Sequence, residues 1–332
     1  MKKIFKFAFV IFIFVQVASA ENFPQNANAL LSFNVNGMQK NHRLETNPKW
    51  ADTITKIISE SGADIVCLQE VCIDLEKRRD TALFKNPKKN NVLDYFTKHL
   101  SEEKKCEWRA VTSARYLLRA NVQKNGKDFS YGDKTQNNAI LYDAGKFSAR
   151  DLASDLGFEN FSGEFLFHKN SVQVLLFENI ETSEQFIVIN VHLPFSNSAK
   201  NNDDLETLKR LTKHFEKFPL VVAGDFNISR EILLKKKFFA VDGKTGNFSS
   251  SEFAIATTLS RSEKNFRFAN DYDHFVFNEK VIEKKSLTRL GLASSKNILK
   301  KAKLAGKYFY SSNEFVAEIS DHFPIIFWFQ VK

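Results

Sequence analysis

Three observations predict an α/β fold in one domain. The chain opens strand, helix, strand, the order that lays helices against a sheet. Short apolar runs of strand length then recur to the C-terminus, broken by one clearly amphipathic helix. The polar residues that meet these runs are spread from Asn34 to His322, so they converge only if the 332 residues fold as a unit.

The first twenty residues stand apart. Lys2, Lys3 and Lys6 precede an apolar run from Phe7 to Val17, and Ala18-Ser19-Ala20 closes it in small residues. This is the layout of a secretory signal peptide cut after Ala20, with residues 21–332 as the working domain. The run is short for a membrane span, and no Cys follows the cut as a lipoprotein would need. The expected location is secreted or periplasmic. The formal charge is +9; the leader holds three Lys and no acid, which leaves +6 on the mature chain. That balance suits a polyanionic partner, nucleic acid or an anionic lipid surface. Cys67, Cys72 and Cys106 are too few for a disulfide scaffold and lack zinc spacing; one bridge, Cys72 with Cys106, and three free thiols are both open readings.

Ala29 to Phe33 is the first strand and runs into Asn34-Val35-Asn36-Gly37. A helix is expected over Pro48 to Ser61, with Asn47 as its N-cap, Pro48 in the first turn and Gly62 at the end. Asp64 to Leu68 is a buried strand closing on Gln69-Glu70. A helix near Val92 to Leu100 and a polar loop over Asn121 to Thr135 follow. Ala139 to Tyr142, Ser171 to Phe177 and Phe186 to Val191 read as three strands of a meander. Asp203 to Phe218 is an amphipathic helix with Leu205, Leu208, Leu211 and Phe215 on one face. It delivers the chain into Leu220 to Asn227, LVVAGDFN, in which Gly224 frees the backbone at the strand end. Ser229 to Glu252 is a basic, then Ser/Gly-rich connection, and Asp273 to Phe277 is a strand. Lys284 to Gly306 reads as loosely helical, and Ile325 to Val331 is the last strand.

Asn34, Glu70, His192, Asp225, Asn227, Asp273, Asp321 and His322 each sit at an end of an apolar run. Strand ends are where α/β proteins gather ligands, because loops vary there over a rigid floor. Carboxylates and carboxamides together offer hard oxygen ligands and donors, which suit a divalent cation or a phosphate oxygen.

The segments LSFNVNG, DIVCLQE, VINVHLPF, VVAGDFN, YDHFVF and SDHFPI occur in the order found in the endonuclease/exonuclease/phosphatase superfamily, and the mature chain resembles its deoxyribonuclease I-like members. The resemblance implies a four-layer α/β sandwich of two packed, mostly antiparallel sheets flanked by helices. It also implies cleavage of phosphoester bonds with Mg²⁺, or with Mn²⁺ or Ca²⁺ in its place. It makes Glu70 the main metal carboxylate with Asn34 and Asp321 beside it. His322 becomes the general base and Asp273 the acid that orients it. Asp225 and Asn227 would orient the nucleophile and hold a phosphate oxygen, and His192 would donate to the phosphate or the leaving oxygen.

Departures from the pattern bear on substrate. His192 argues against the abasic-site repair branch. Cys72 stands where the deoxyribonuclease I-type nucleases carry an Arg that touches DNA. Lys169 takes the place of a second Arg and keeps the charge without the bidentate fork. Asn138, with Gln136 and Asn137, lies where an acid should partner the first histidine. Lys169 and Asn138 are the candidate substrate contacts. The leading expectation is a monomeric secreted endonuclease acting on DNA, with RNA as a further substrate. The alternatives are a phospholipid phosphodiesterase such as a sphingomyelinase, meeting a membrane surface through Phe238-Phe239, and a catalytically inactive binding protein on the same scaffold.

Overall fold

The computed structural model describes residues 26–37, 44, 47–74, 91–113, 134–157, 164–165, 167, 172–194, 199–235, 258, 270–278, 281–289, 302–304, 307–309 and 319–332. The leader over residues 1–20, Lys169 and Phe238-Phe239 lie outside them. Strands are β1 (Asn28–Asn34), β2 (Ile65–Asp74), β3 (Trp108–Thr112), β4 (Lys134–Asp143), β5 (Phe147–Asp151), β6 (Val172–Asn179), β7 (Gln185–His192), β8 (Leu220–Asp225), β9 (Asp273–Phe277), β10 (Ile282–Arg289), β11 (Ala302–Leu304), β12 (Lys307–Phe309) and β13 (Ile325–Val331). Helices are α1 (Pro48–Ser61), α2 (Val92–Lys104), α3 (Ala199–His214) and α4 (Arg230–Lys235).

One six-stranded sheet runs β10-β13-β1-β2-β4-β3, and a five-stranded sheet runs β5-β6-β7-β8-β9. Both are mixed, since β1 pairs with β2 and β7 with β8 in parallel while their other neighbours are antiparallel. Period-two alternation along each strand sends one set of side chains outward and one inward. Leu31, Phe33, Val66 and Leu68 pack outward with Ile54, Ile57 and Phe96 of α1 and α2. Ile187, Ile189 and Val222 pack outward with Leu205, Leu208 and Leu211 of α3. The inward sets of the two sheets meet each other, so the layers run helix, sheet, sheet, helix.

That inner layer is rich in Phe, with Phe147, Phe177, Phe186, Phe275, Phe277, Phe327 and Phe329 in it. Phe186 meets Phe329 edge-on at 5.3 Å, and Phe275 and Phe277 lie 5.2 and 4.7 Å from Phe327. Such aromatic pairs join one sheet to the other. Toward one pole the same inward positions turn polar: Leu30 is followed by Ser32 and Asn34, Cys67 by Gln69, Val188 by Asn190 and His192, and Ala223 by Asp225. The candidate site residues stand at this polar end of an otherwise apolar layer.

Several elements depart from the sequence reading. Ala139 to Tyr142 belongs to β4, which pairs with β2 and β3 in the first sheet, so the meander is β5-β6-β7 instead. The region expected to be helical after Lys284 holds β10 and β11. The amphipathic helix ends at His214, short of Phe218, and α4 interrupts the expected connection after Ser229. Asn47 precedes α1 but makes no side-chain cap; Pro48 and the left-handed Gly62 (φ 73°) bound the helix. No disulfide joins Cys67, Cys72 or Cys106.

Candidate active site

Asp225 is the centre of the site. It ends β8 opposite His192 on one side and Asp273 on the other, and its side chain is 2 % exposed. Its Oδ1 accepts from the Asn227 backbone N–H at 2.8 Å, and its Oδ2 accepts from Asn34 Nδ2 at 3.1 Å. The Nε2 atoms of His192 and His322 lie 3.8 and 3.7 Å from Oδ2. Burial pushes the Asp225 carboxyl up to about 6, against the two imidazoles and the Asn227 N–H that favour its charge.

His322 is held on its far side by Asp273, whose Oδ2 is 2.9 Å from Nδ1. Burial alone would lower this histidine, but Asp273 and Asp225 outweigh it and raise its pKa to about 10. Ser320 fixes the turn beneath it: Oγ accepts from the His322 backbone N–H at 3.1 Å and donates to the Asn34 carbonyl at 2.7 Å. Asp321 accepts from Asn36 Nδ2 at 2.8 Å.

Glu70 lies on the open side, with its side chain 19 % exposed, Asn34 Nδ2 at 3.2 Å and His192 Nε2 at 3.5 Å. Left-handed backbone clusters around it: Asn36 (φ 48°), Glu70 (φ 56°) and Asn227 (φ 52°) all adopt a conformation that costs a non-glycine residue free energy. Three of the six non-glycine residues with positive φ among the described residues fall in this constellation.

The eight strand-end residues are therefore brought together. Asn34 faces Glu70 and Asp225 with its NH₂, while its Oδ1 accepts from the Asn36 N–H at 3.0 Å, so here it acts as a donor between two carboxylates rather than presenting an oxygen. Asn227 turns its carboxamide to the Leu193 carbonyl at 2.9 Å. Asn138 is buried and donates to the Asn190 carbonyl at 3.3 Å, so it braces the strand that carries His192 instead of facing substrate. Asn36 and Ser320 were missed; the two-residue spacing of Asn34 and Asn36 was the available signal. His274 was missed too: buried behind Asp273, it meets the Ile228 carbonyl at 2.9 Å through Nε2 and steadies the loop after Asp225.

The donor set fits a hard divalent cation. It consists of carboxylate oxygens with imidazoles and no thiolate, and burial raises the Asp225 carboxyl, a cost that a nearby cation offsets. Asp225, Asp273 and His322 place one ligand atom each within 4.8 Å of one another, but the bond between His322 and Asp273 suits that pair to proton transfer. Glu70 stands outside that group, on the more open side of the site.

The fold and this pole of carboxylates and imidazoles define the class as hydrolases acting on phosphoester bonds. The chain belongs to the endonuclease/exonuclease/phosphatase family, whose model matches residues 31–322. Members include nucleases, phosphatases and phosphodiesterases, and they are typically dependent on divalent metal. Among solved structures it is similar to the human Nocturnin catalytic domain with bound sulfate (16 % identity, 92 % of this chain and 94 % of that one, TM-score 0.54). It is also similar to a mannosyl-6-phosphatase of Bacteroides thetaiotaomicron (14 %, 92 % and 99 %, TM-score 0.55). A third is D. rerio TDP2 complexed with single-strand DNA product (11 %, 92 % and 99 %, TM-score 0.54). No curated protein sequence matches the chain. At these identities the structural likeness concerns the fold.

Proposed function

We propose that the protein is a secreted, divalent-metal-dependent phosphodiesterase acting on nucleic acid, an endonuclease on DNA and also on RNA. The observation that carries the hydrolytic part is the His322–Asp273 pair set 3.7 Å from Asp225, with Glu70 open to solvent beside it. The mature charge of +6 and the DNA product bound by a structural neighbour support a nucleic-acid substrate.

In this reading His322 acts in its neutral form, the minor form below about 10 in the metal-free chain, and takes a proton from the attacking water at Nε2, while Asp273 holds Nδ1–H and stabilises the imidazolium that forms. Asp225 orients the water. His192, near both Glu70 and Asp225, donates to a phosphoryl or leaving oxygen. Asn34 keeps the two carboxylates at fixed spacing with one NH₂ group. Glu70 would hold a divalent cation, which would supply charge stabilisation to the phosphoryl oxygens.

The test is nicking of supercoiled plasmid by the purified mature chain with Mg²⁺ and with EDTA, alongside His322→Ala. Metal-dependent nicking that the variant loses supports the reading. A folded chain that leaves plasmid and RNA intact overturns the substrate assignment and moves the search to phospholipid and phosphomonoester substrates. N-terminal sequencing of the exported protein checks secretion, with Glu21 as the expected first residue.

A further inference from the structure

The carboxylate of Glu70 is presented by an irregularity in β2, and the residue that secures that irregularity comes from the other sheet. Leu68 pairs with Ala139 and Val71 with Asn137, so Gln69 and Glu70 together face the single residue Asn138. This is a β-bulge, with its second residue left-handed at φ 56°. Such a conformation persists only if its surroundings over-determine it.

Two of those surroundings lie within the first sheet. The Val35 N–H donates to the Gln69 carbonyl at 3.1 Å and the Gly37 N–H to the Glu70 carbonyl at 2.9 Å. On the β4 side, Ser113 Oγ accepts from the Asn138 N–H at 2.9 Å and donates to the Asn138 carbonyl at 3.1 Å. The third crosses the inner layer. Asn190 of β7, wholly buried, donates from Nδ2 to the carbonyls of Leu68 (3.0 Å) and Ala139 (3.1 Å), the last ladder pair before the register breaks. Its Oδ1 accepts from Gln69 Nε2 at 2.8 Å. One carboxamide thus makes three bonds to the strands that carry the bulge, a pattern no other side chain of its size reproduces. Asn190 and His192 share one face of β7, so successive inward positions meet the backbone behind Glu70 and then its carboxylate.

We propose that Asn190 is a positioning residue for Glu70, a clamp from the second sheet that holds the β2 bulge in the conformation aiming the Glu70 carboxylate into the site. The consequence for catalysis rests on the proposed reading of Glu70 as a cation ligand; the clamp itself does not. Asn190→Leu preserves volume and leaves both carbonyls buried without their donor. Gln69→Met is the milder variant, removing the bond that orients the carboxamide. Gln173→Leu is the control, because Gln173 is also wholly buried and crosses the same layer, donating to the Val111 carbonyl at 2.9 Å on the edge strand β3.

The experiment measures amide hydrogen exchange of the full chain in EDTA, residue by residue, followed by calorimetric titration with Mg²⁺. In Asn190→Leu and Gln69→Met, the Val35 and Gly37 amides should exchange about tenfold faster or more, beyond any change in the slowest core amides. Affinity for Mg²⁺ should fall by about 10–100-fold, the size typical of groups that orient metal ligands. Gln173→Leu should lower protection evenly and leave Mg²⁺ affinity within about twofold of the parent, outside that range. If Val35 and Gly37 loosen only in step with the core in both variants, the clamp is overturned, and Gln69→Met decides this should Asn190→Leu not fold. If they loosen selectively and the parent binds no Mg²⁺, the clamp stands and the cation reading of Glu70 falls.

Discussion

His322 Nδ1 lies 2.9 Å from Asp273 Oδ2, with both side chains at most 10 % exposed. The bond fixes the tautomer and leaves Nε2 as the atom that exchanges a proton in the site. Asp273→Asn keeps the shape but offers no charge to stabilise an imidazolium. Its kcat should drop by about 10²–10⁴, the usual worth of positioned acid–base catalysis, and His322→Ala should fall at least as far. Steady-state kinetics with circular dichroism as a check of folding decides it. Asp273→Asn within about threefold of the parent, far below that range, would remove Asp273 from the mechanism.

The same bond sets a pH dependence of stability. His322 is raised from an ordinary 6.5 to about 10 in the folded chain, with burial opposing and Asp273 and Asp225 driving the shift. The native state therefore binds the proton more tightly than the unfolded chain. Its stabilising contribution is complete below about 6.5 and disappears as pH rises through about 10. Asp225 works the other way: a carboxyl raised to about 6 costs stability as pH rises from 3.8 toward 6, where the unfolded chain ionises first. Urea unfolding in EDTA should show stability declining between pH 6.5 and 10, with most of that decline absent in His322→Gln. A parent and variant with parallel profiles would contradict the assignment.

How far the sequence reveals this site depends on alternation. A strand whose inward positions change from Leu30 to Ser32 and Asn34, or from Ala223 to Asp225, announces its polar end in one dimension, and run ends of this kind made eight polar residues readable. The four-layer order came from resemblance, because which sheet a strand joins is a three-dimensional choice; β4 pairs with its predecessor β3 and also back to β2. β10 was misread as helix because Lys is a good helix former and because the bulge between Lys284 and Ser286 breaks the period of two. β10 is an edge strand of its sheet. The edge strands β3 and β5, carrying Arg109, Ser148 and Arg150, escaped for the same lack of an apolar run. Asn190 is a single amide in an apolar strand, and only the facing sheet shows what it bonds.

Cation binding should be visible without turnover. A ligand that binds only the folded chain stabilises it by RT ln(1 + [L]/Kd), about 2.7 kcal/mol at a hundredfold excess over Kd. Mg²⁺ should therefore raise Tm, and Glu70→Gln should lose most of the rise while folding normally in EDTA. The cation's charge also opposes the imidazolium, so Mg²⁺ should bring the His322 titration below its metal-free value of about 10, followed by NMR of the ring protons. A Tm shift that persists in Glu70→Gln would move the cation site to the Asp225, Asp273 and His322 cluster.

Gly224 makes the tightest demand on residue type. It pairs with Val191 in the parallel contact of β7 and β8, has φ 146°, and a Cβ there would stand 2.0 Å from the Val191 carbonyl oxygen. Neither backbone can retreat, because His192 and Asp225 follow immediately as the next ladder pair. Gly224→Ala should cost at least about 1–3 kcal/mol for the strained dihedral alone, with the clash in addition. Moving β8 from β7 also changes the 3.8 Å spacing of His192 and Asp225, so activity should fall even where the variant is fully folded. Urea midpoints read the first effect, and kcat at low temperature, with folding verified, reads the second. A variant as stable as the parent would mean the strand pair accommodates a methyl group that its geometry excludes.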